Sequence, residues 1–132
     1  SDDSGLEIDL LNGAPGIFSA RWGGKDNDFD LAIDKVFKKM NSKTKNWEKK
    51  NKARFICSMT IFFPNGESFF GEGLVNGCIS KVKKGKKGFG YDPIFIPQGY
   101  KKTFGEMKYS FKERISHRQK AFKKLQNFIS KI

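Results

Sequence analysis

Residues 53–75 read ARFICSMTIFFPNGESFFGEGLV, and this stretch decides the fold. Ala53 to Phe63 has a continuous apolar and β-branched texture, so it reads as a buried strand. Pro64-Asn65-Gly66-Glu67 supplies residues that favour a tight reversal. Ser68 to Val75 then returns as the second strand of a hairpin.

Upstream of the hairpin, Phe29, Ile33, Val36, Phe37 and Met40 recur at helical spacing, and the acidic cluster from Asp26 to Asp30 favours a helix N-terminus there. Asn41 to Lys52 is polar and lysine-rich and reads as a solvated connection. Gly5 to Leu11 reads as a short strand, followed by a turn-rich loop over Asn12-Gly13-Ala14-Pro15-Gly16. Downstream, Lys81 to Lys87 is a basic, glycine-containing stretch. It lacks the GxxxxGK[ST] phosphate-binding pattern and opens no helix, so it is expected to be a mobile surface loop. The chain closes with a helix from about Ser116, whose apolar stripe is Phe122, Leu125, Phe128, Ile129 and Ile132. Strands and helices together predict a mixed α/β sheet with helices packed on it.

With 132 residues, the chain suits one domain spanning 1–132. Fourteen Phe residues give it enough apolar mass to fold. No apolar run approaches the roughly 20 residues of a membrane span, and no secretory signal opens the chain, so a cytoplasmic location is expected. Cys57 and Cys78 are expected to be free thiols; a disulfide between them stays geometrically open. With one histidine and no CxxC pair there is no zinc site. The net charge of +12 comes almost wholly from lysines scattered over helices and loops, so nucleic-acid binding is not expected. Such a field would still draw in an anionic ligand.

The chemistry concentrates between Gly88 and Arg118. GFGYDPIF (88–95) places Phe89 between two glycines that leave both faces of its ring open to a flat partner, with Asp92 three residues on and Pro93 fixing the backbone behind it. The same run also reads as a strand entered through a glycine turn, with Tyr91 either lining a pocket or buried in the core. Ser116 reads as an N-cap with Gln119 completing a capping box. His117 and Arg118 then stand in the first helical turn, where free backbone N–H groups favour anions. An aromatic platform, a fixed carboxylate and a donor-rich helix start suit a nucleobase with anionic groups attached. On residues alone, Asp2-Asp3 is better read as a solvated chain end.

Taken in order, DDSGL, GAPGIFSAR, ARFIC, GFGYDPIF, the TFGEM segment, Lys112 and ISHR resemble the HAM1 family, the inosine triphosphate or non-canonical purine NTP pyrophosphatases. The resemblance covers essentially the whole chain. It implies an elongated, two-lobed sheet with a nucleotide cleft, and hydrolysis of ITP, dITP and XTP to the monophosphate and pyrophosphate with Mg²⁺. It assigns Asp3 as proton acceptor and metal ligand, with Asp2 as a second candidate ligand. It also makes Ser4, Phe89, Gly90, Tyr91, Asp92, Lys112, His117 and Arg118 substrate contacts and implies a homodimer. The family normally begins with a strand and a serine-glycine-asparagine loop ahead of DDSGL. This chain therefore resembles the C-terminal two-thirds of a family member, expected to be marginally stable alone. The alternative is a catalytically incompetent nucleotide-binding fragment.

Overall fold

We describe the fold from a computed structural model, which describes residues 2–26 and 28–130; of residues 2, 3, 113, 117–119 and 128–130 it describes the backbone alone. The expected hairpin is its centre. Strand β3 (Lys52–Phe62) and strand β4 (Ser68–Ile79) pair antiparallel from Lys52 opposite Cys78 to Phe62 opposite Ser68. Phe63 N–H donates to Glu67 O (2.9 Å), Glu67 N–H donates to Asn65 Oδ1 (3.0 Å), and Gly66 takes the positive φ of 91° that closes the reversal.

Strand β1 (Asp2–Ile8) lies beside β3, and the two-residue strand β2 (Pro15–Gly16) beside β1. On the far side, β5 (Phe95–Pro97) pairs with the end of β4, giving the order β2-β1-β3-β4-β5. Among the described residues every pairing is antiparallel. The fold is α/β as expected, in a sheet without parallel neighbours.

Several boundaries differ from the sequence reading, each for a local reason. The first strand starts at Asp2 and stops at Ile8, because Asn12 adopts the left-handed region (φ 55°) and its N–H closes a 3-10 turn over Asp9–Leu11 onto Asp9 O. Strand β4 runs past Val75 to Ile79, since Gly77 lets the backbone of β5 come in where a side chain would strike Ile96 O. Strand β3 is not buried on both faces. Ala53, Phe55 and Cys57 are buried, while Arg54 and Ile56 between them are half-exposed.

Helix α1 (Phe29–Lys43) forms where the spacing placed it. Asp28 is its N-cap, accepting from the N–H groups of Asp30 (3.0 Å) and Leu31 (3.3 Å). Its buried face of Ala32, Ile33, Val36 and Met40 packs on Leu6, Ile8, Phe55 and Val75. The segment 41–52, read as solvated, carries a buried anchor instead. Trp47 stacks on Phe37 with centroids 6.1 Å apart and donates its indole N–H to Asn41 Oδ1 (2.7 Å). Phe55, Phe95 and Phe104 form an aromatic group with centroids 4.5–6.0 Å apart.

Helix α2 (Tyr109–Ile115) has no counterpart in the sequence reading, and helix α3 (His117–Ser130) begins where Ser116 predicted. Ala121 and Leu125 are the buried positions of α3, whereas Phe122 is half-exposed over a cleft. The side chains of Phe128 and Ile129, and Ile132 altogether, lie outside the described residues. Both cysteines are free thiols, and no described helix is long and apolar enough to cross a membrane.

Val75 and Gly71 lie on the same face of β4, four residues apart. The first packs in the α1 core, and the second sits under α3. A Cβ at Gly71 would lie 2.7 Å from Ala121 O and 2.8 Å from Leu125 Cγ. The two helices therefore cover opposite ends of one sheet face and leave a cleft between. Gly71→Ala is expected to lower stability by about 1–3 kcal/mol through overpacking, read from urea unfolding. An unchanged midpoint would show that α3 does not rest on β4 at this point.

Candidate active site

A cavity of about 460 Å³ opens in this cleft, within the size range of small-molecule sites. Its floor is the sheet, through Ser4, Leu6, Phe55 and Met59. One wall is the turn 88–92 that precedes β5, and the other comes from Tyr109 and Lys112 of α2, Ser116, and Phe122 of α3.

The turn is built around a buried carboxylate. Gly88 and Gly90 take positive φ (74° and 66°), and a side chain at Gly88 would collide with the Asp92 carboxylate. That carboxylate accepts from Phe89 N–H (3.0 Å) and forms an ion pair with Lys112, 20 residues further along the chain. The two side chains are only 5% and 13% exposed. Lys112 Nζ also stands 5.0 Å from the centroid of the Phe89 ring, while Phe89 itself is 63% exposed to the cavity and solvent. The sequence reading left both faces of that ring to a flat partner; the structure puts an ammonium group over it. Lys112 has three N–H donors, so pairing with Asp92 still leaves it donors for a ligand.

Tyr91 proves both core and pocket. It is buried, with its ring edge-on to Phe29 (5.5 Å, 82°) and its hydroxyl donating to Ser19 O (2.5 Å). Burial pushes its phenol well above the ordinary value of 10. The Lys81–Lys87 loop, expected to be mobile, is fastened behind the turn. Lys84 N–H donates to Pro93 O, Lys87 N–H donates to Gly105 O, and Thr103 Oγ1 donates to Lys84 O.

Ser4, Phe89, Gly90, Tyr91, Asp92 and Lys112 thus come together around one cavity. Asp2 and Asp3 continue β1 from Ser4, opposite Met59 and Ser58, and His117 and Arg118 open α3 directly after the cavity-lining Ser116. The side chains of those four lie outside the described residues, as does that of Gln119 in the expected capping box. Among the described residues no group of three or more acidic, histidine or cysteine side chains forms a metal cluster. Two adjacent acidic residues in sequence with the exposed Ser4 are, as residue types, oxygen donors that suit a hard cation completing its shell with water and phosphate oxygens. Sequence reasoning missed Ser19, Phe55, Met59, Tyr109 and Phe122. Ser19 falls inside GAPGIFSAR, but a serine in a turn carries no sign of what it will bond.

Two outcomes check this geometry. Asp92→Asn strands Lys112 without its counter-charge and is expected to cost about 3 kcal/mol in urea unfolding; a loss no larger than that of an exposed ion pair would contradict the buried pairing. For Tyr91 the fold holds the neutral phenol, so its stabilisation is complete below pH 10 and lost as pH rises above that value. Comparison with Tyr91→Phe isolates the group. The difference in stability should shrink above pH 10, and a constant difference would show that the phenol is not held neutral.

Residues 1–128 match the Ham1 family. The chain is 45% identical over 125 residues to a dITP/XTP pyrophosphatase of Caulobacter vibrioides, covering 95% of this chain and 63% of that protein. It is 42% identical over 131 residues to one of Bacillus anthracis, covering 98% and 63%. Among solved structures, the Ham1 protein of Staphylococcus aureus superposes with a TM-score of 0.88 at 39% identity, over 98% of this chain and 65% of that one. A HAM1 protein from Coxiella burnetii gives 0.89 at 34% identity, over 100% and 66%. The chain spans about three fifths of the length of the curated relatives it matches.

Proposed function

Because this chain belongs to the Ham1 family, we propose that it carries the base-recognising part and the acidic strand of a pyrophosphatase that converts ITP, dITP and XTP to the monophosphate and pyrophosphate. The observation that carries this reading is one cavity lined by the Phe89 turn, Lys112, Ser116 just ahead of α3, and Ser4 to Leu6 of β1, the strand that Asp3 belongs to. The purine stacks at Phe89, which contributes roughly 1–3 kcal/mol without distinguishing one purine from another. Discrimination falls to the donors. Lys112, His117 and Arg118 suit the 6-oxo acceptor of hypoxanthine or xanthine, whereas the amino group of adenine would meet donors and stay unpaired, at about 1–3 kcal/mol. Guanine shares the 6-oxo group, so its exclusion falls to contacts at position 2. Asp92 is a support that holds Lys112 and the turn, and Tyr91 is a strut behind it.

At the other end Asp3 takes the proton of the attacking water as its oxygen bonds to the α-phosphorus and pyrophosphate departs. Asp3, with Asp2 beside it, is the residue to hold Mg²⁺, which supplies charge neutralisation at the triphosphate. The helix start at His117 and the positive field of the chain favour the anionic substrate. A second copy of the chain as homodimer partner, and a cytoplasmic setting, complete the reading.

The alternative, a binding unit that is inactive alone, is less favoured because the curated relatives are pyrophosphatases. Pyrophosphate release from ITP with Mg²⁺ separates the two, measured on this chain and on the same chain extended at its N-terminus to the length of its relatives. Turnover is expected in the extended protein, and none in either would overturn the enzymatic reading. In the extended protein, Asp3→Asn should abolish turnover and leave nucleotide affinity within about threefold, roughly 0.65 kcal/mol; equal loss of both would give Asp3 a binding or structural role. Arg118→Ala should narrow the preference for ITP over ATP by about tenfold, the equivalent of one donor–acceptor mismatch. An unchanged ratio would remove Arg118 from base recognition.

A further inference from the structure

We propose that Ser19 is a positioning residue that fixes the distance between the acidic strand β1 and the base turn 88–92. Strand β2 contributes only Pro15 and Gly16, so the sheet edge of β1 runs out of main-chain partners almost at once. Ser19 fills in. Its Oγ accepts from Leu6 N–H (3.0 Å) and donates to Gly16 O (2.6 Å), and its own carbonyl accepts from the Tyr91 hydroxyl (2.5 Å). Leu6 is fully buried and Ser19 is 7% exposed, so water is a poor substitute at either end. Gly5 is part of the same device. A Cβ there would lie 2.7 Å from Gly16 O, and its absence lets the turn carrying Ser19 close on β1.

Two hydrogen bonds in series therefore join Leu6, three residues from Asp3, to Tyr91, two residues from Phe89 and next to Asp92. Tyr91 is held from its side by the edge contact with Phe29, so its hydroxyl cannot swing to another acceptor without leaving the core. On the reading proposed above, a nucleotide is gripped at one end by the base turn and cut at the other end by β1. The reaction then depends on how far apart these two are held, and displacement of about 1 Å can cost a hundredfold in rate. Ser19 lines the cavity, but its hydroxyl and carbonyl are engaged with Leu6, Gly16 and Tyr91, and it acts through Leu6 and Tyr91.

The test uses the 132-residue chain with Ser19→Ala, Ser19→Thr and Tyr91→Phe. Amide hydrogen exchange followed by NMR should show the Leu6 amide exchanging at least about tenfold faster in Tyr91→Phe, although the substituted residue is 85 positions away, with the β3–β4 ladder little changed. Ser19→Ala should do the same at Leu6 and also at Phe89, and Ser19→Thr, which keeps the hydroxyl, should restore slow exchange. Leu6 exchange within twofold of the parent in Tyr91→Phe would overturn the proposal, as would an equal rise across β3 and β4, which marks a general loss of stability. A second arm uses calorimetry with ITP plus Mg²⁺ and with IMP. Ser19→Ala and Tyr91→Phe should weaken ITP about tenfold and IMP less than twofold, since only ITP reaches from the turn to β1. Equal losses would overturn the positioning role. Failure of the parent chain to bind either nucleotide would count against the proposed function, and the exchange result would then decide on Ser19 alone.

Discussion

The Asp92 carboxylate, 5% exposed, cannot remain ionised in that setting without partners, because desolvation of an unpaired charge is among the largest penalties a small fold can meet. Its partners come from two places. The Phe89 N–H is local and forces the turn, with Gly88 obliged to lack a side chain. The Lys112 ammonium is distant and obliges α2 to dock. Docking of α2 in turn places Tyr109 and Ser116 on the cavity wall and sets where α3 begins. One buried ion pair thereby links the aromatic platform, the donor cluster and the helix that closes the cleft. Replacing this pair by apolar residues would keep a core but lose the cation held over Phe89.

The sheet gives this assembly a floor because α1 and α3 cover only the two ends of one of its faces. Helix α1 and the aromatic group of Phe55, Phe95 and Phe104 occupy one end of that face. Helix α3 takes the other end, drawn close to β4 by the missing side chain of Gly71. The cavity is the space the two leave between them. The opposite face is finished differently, with Arg54 bridging Glu7 (3.1 Å) and Asp9 (2.6 Å) across β1 and β3. These groups are about one-third exposed or more, so the bridge contributes to register more than to stability.

Most of the fold was legible because its signals are local. The reversal at Asn65-Gly66, the spacing of Ile33, Val36 and Met40, and the serine ahead of His117 each act within a few residues. Helix α2 was not, since seven residues offer only one apolar pair at helical spacing, Phe111 and Ile115, too short a run to show a period. Trp47 was missed inside a polar segment for a similar reason: one residue makes the anchor, and its partner Phe37 lies a helix turn or more away in the chain. At the site, the identity of Phe89, Gly90, Tyr91, Asp92 and Lys112 was readable from the resemblance, but their division of labour was not. That Asp92 faces Lys112 and Tyr91 faces Ser19 depends on pairs 20 and 72 residues apart, which only the closed sheet brings together.

On the function proposed above, this chain by itself holds a purine pocket already set for a 6-oxo base. Calorimetric titration of the 132-residue chain with IMP and with AMP tests it most directly, because both ligands lack the triphosphate and differ in the base edge. Preassembly predicts that IMP binds about tenfold more tightly than AMP, the equivalent of one unmet polar group. Equal affinities, or no binding of IMP, would contradict it.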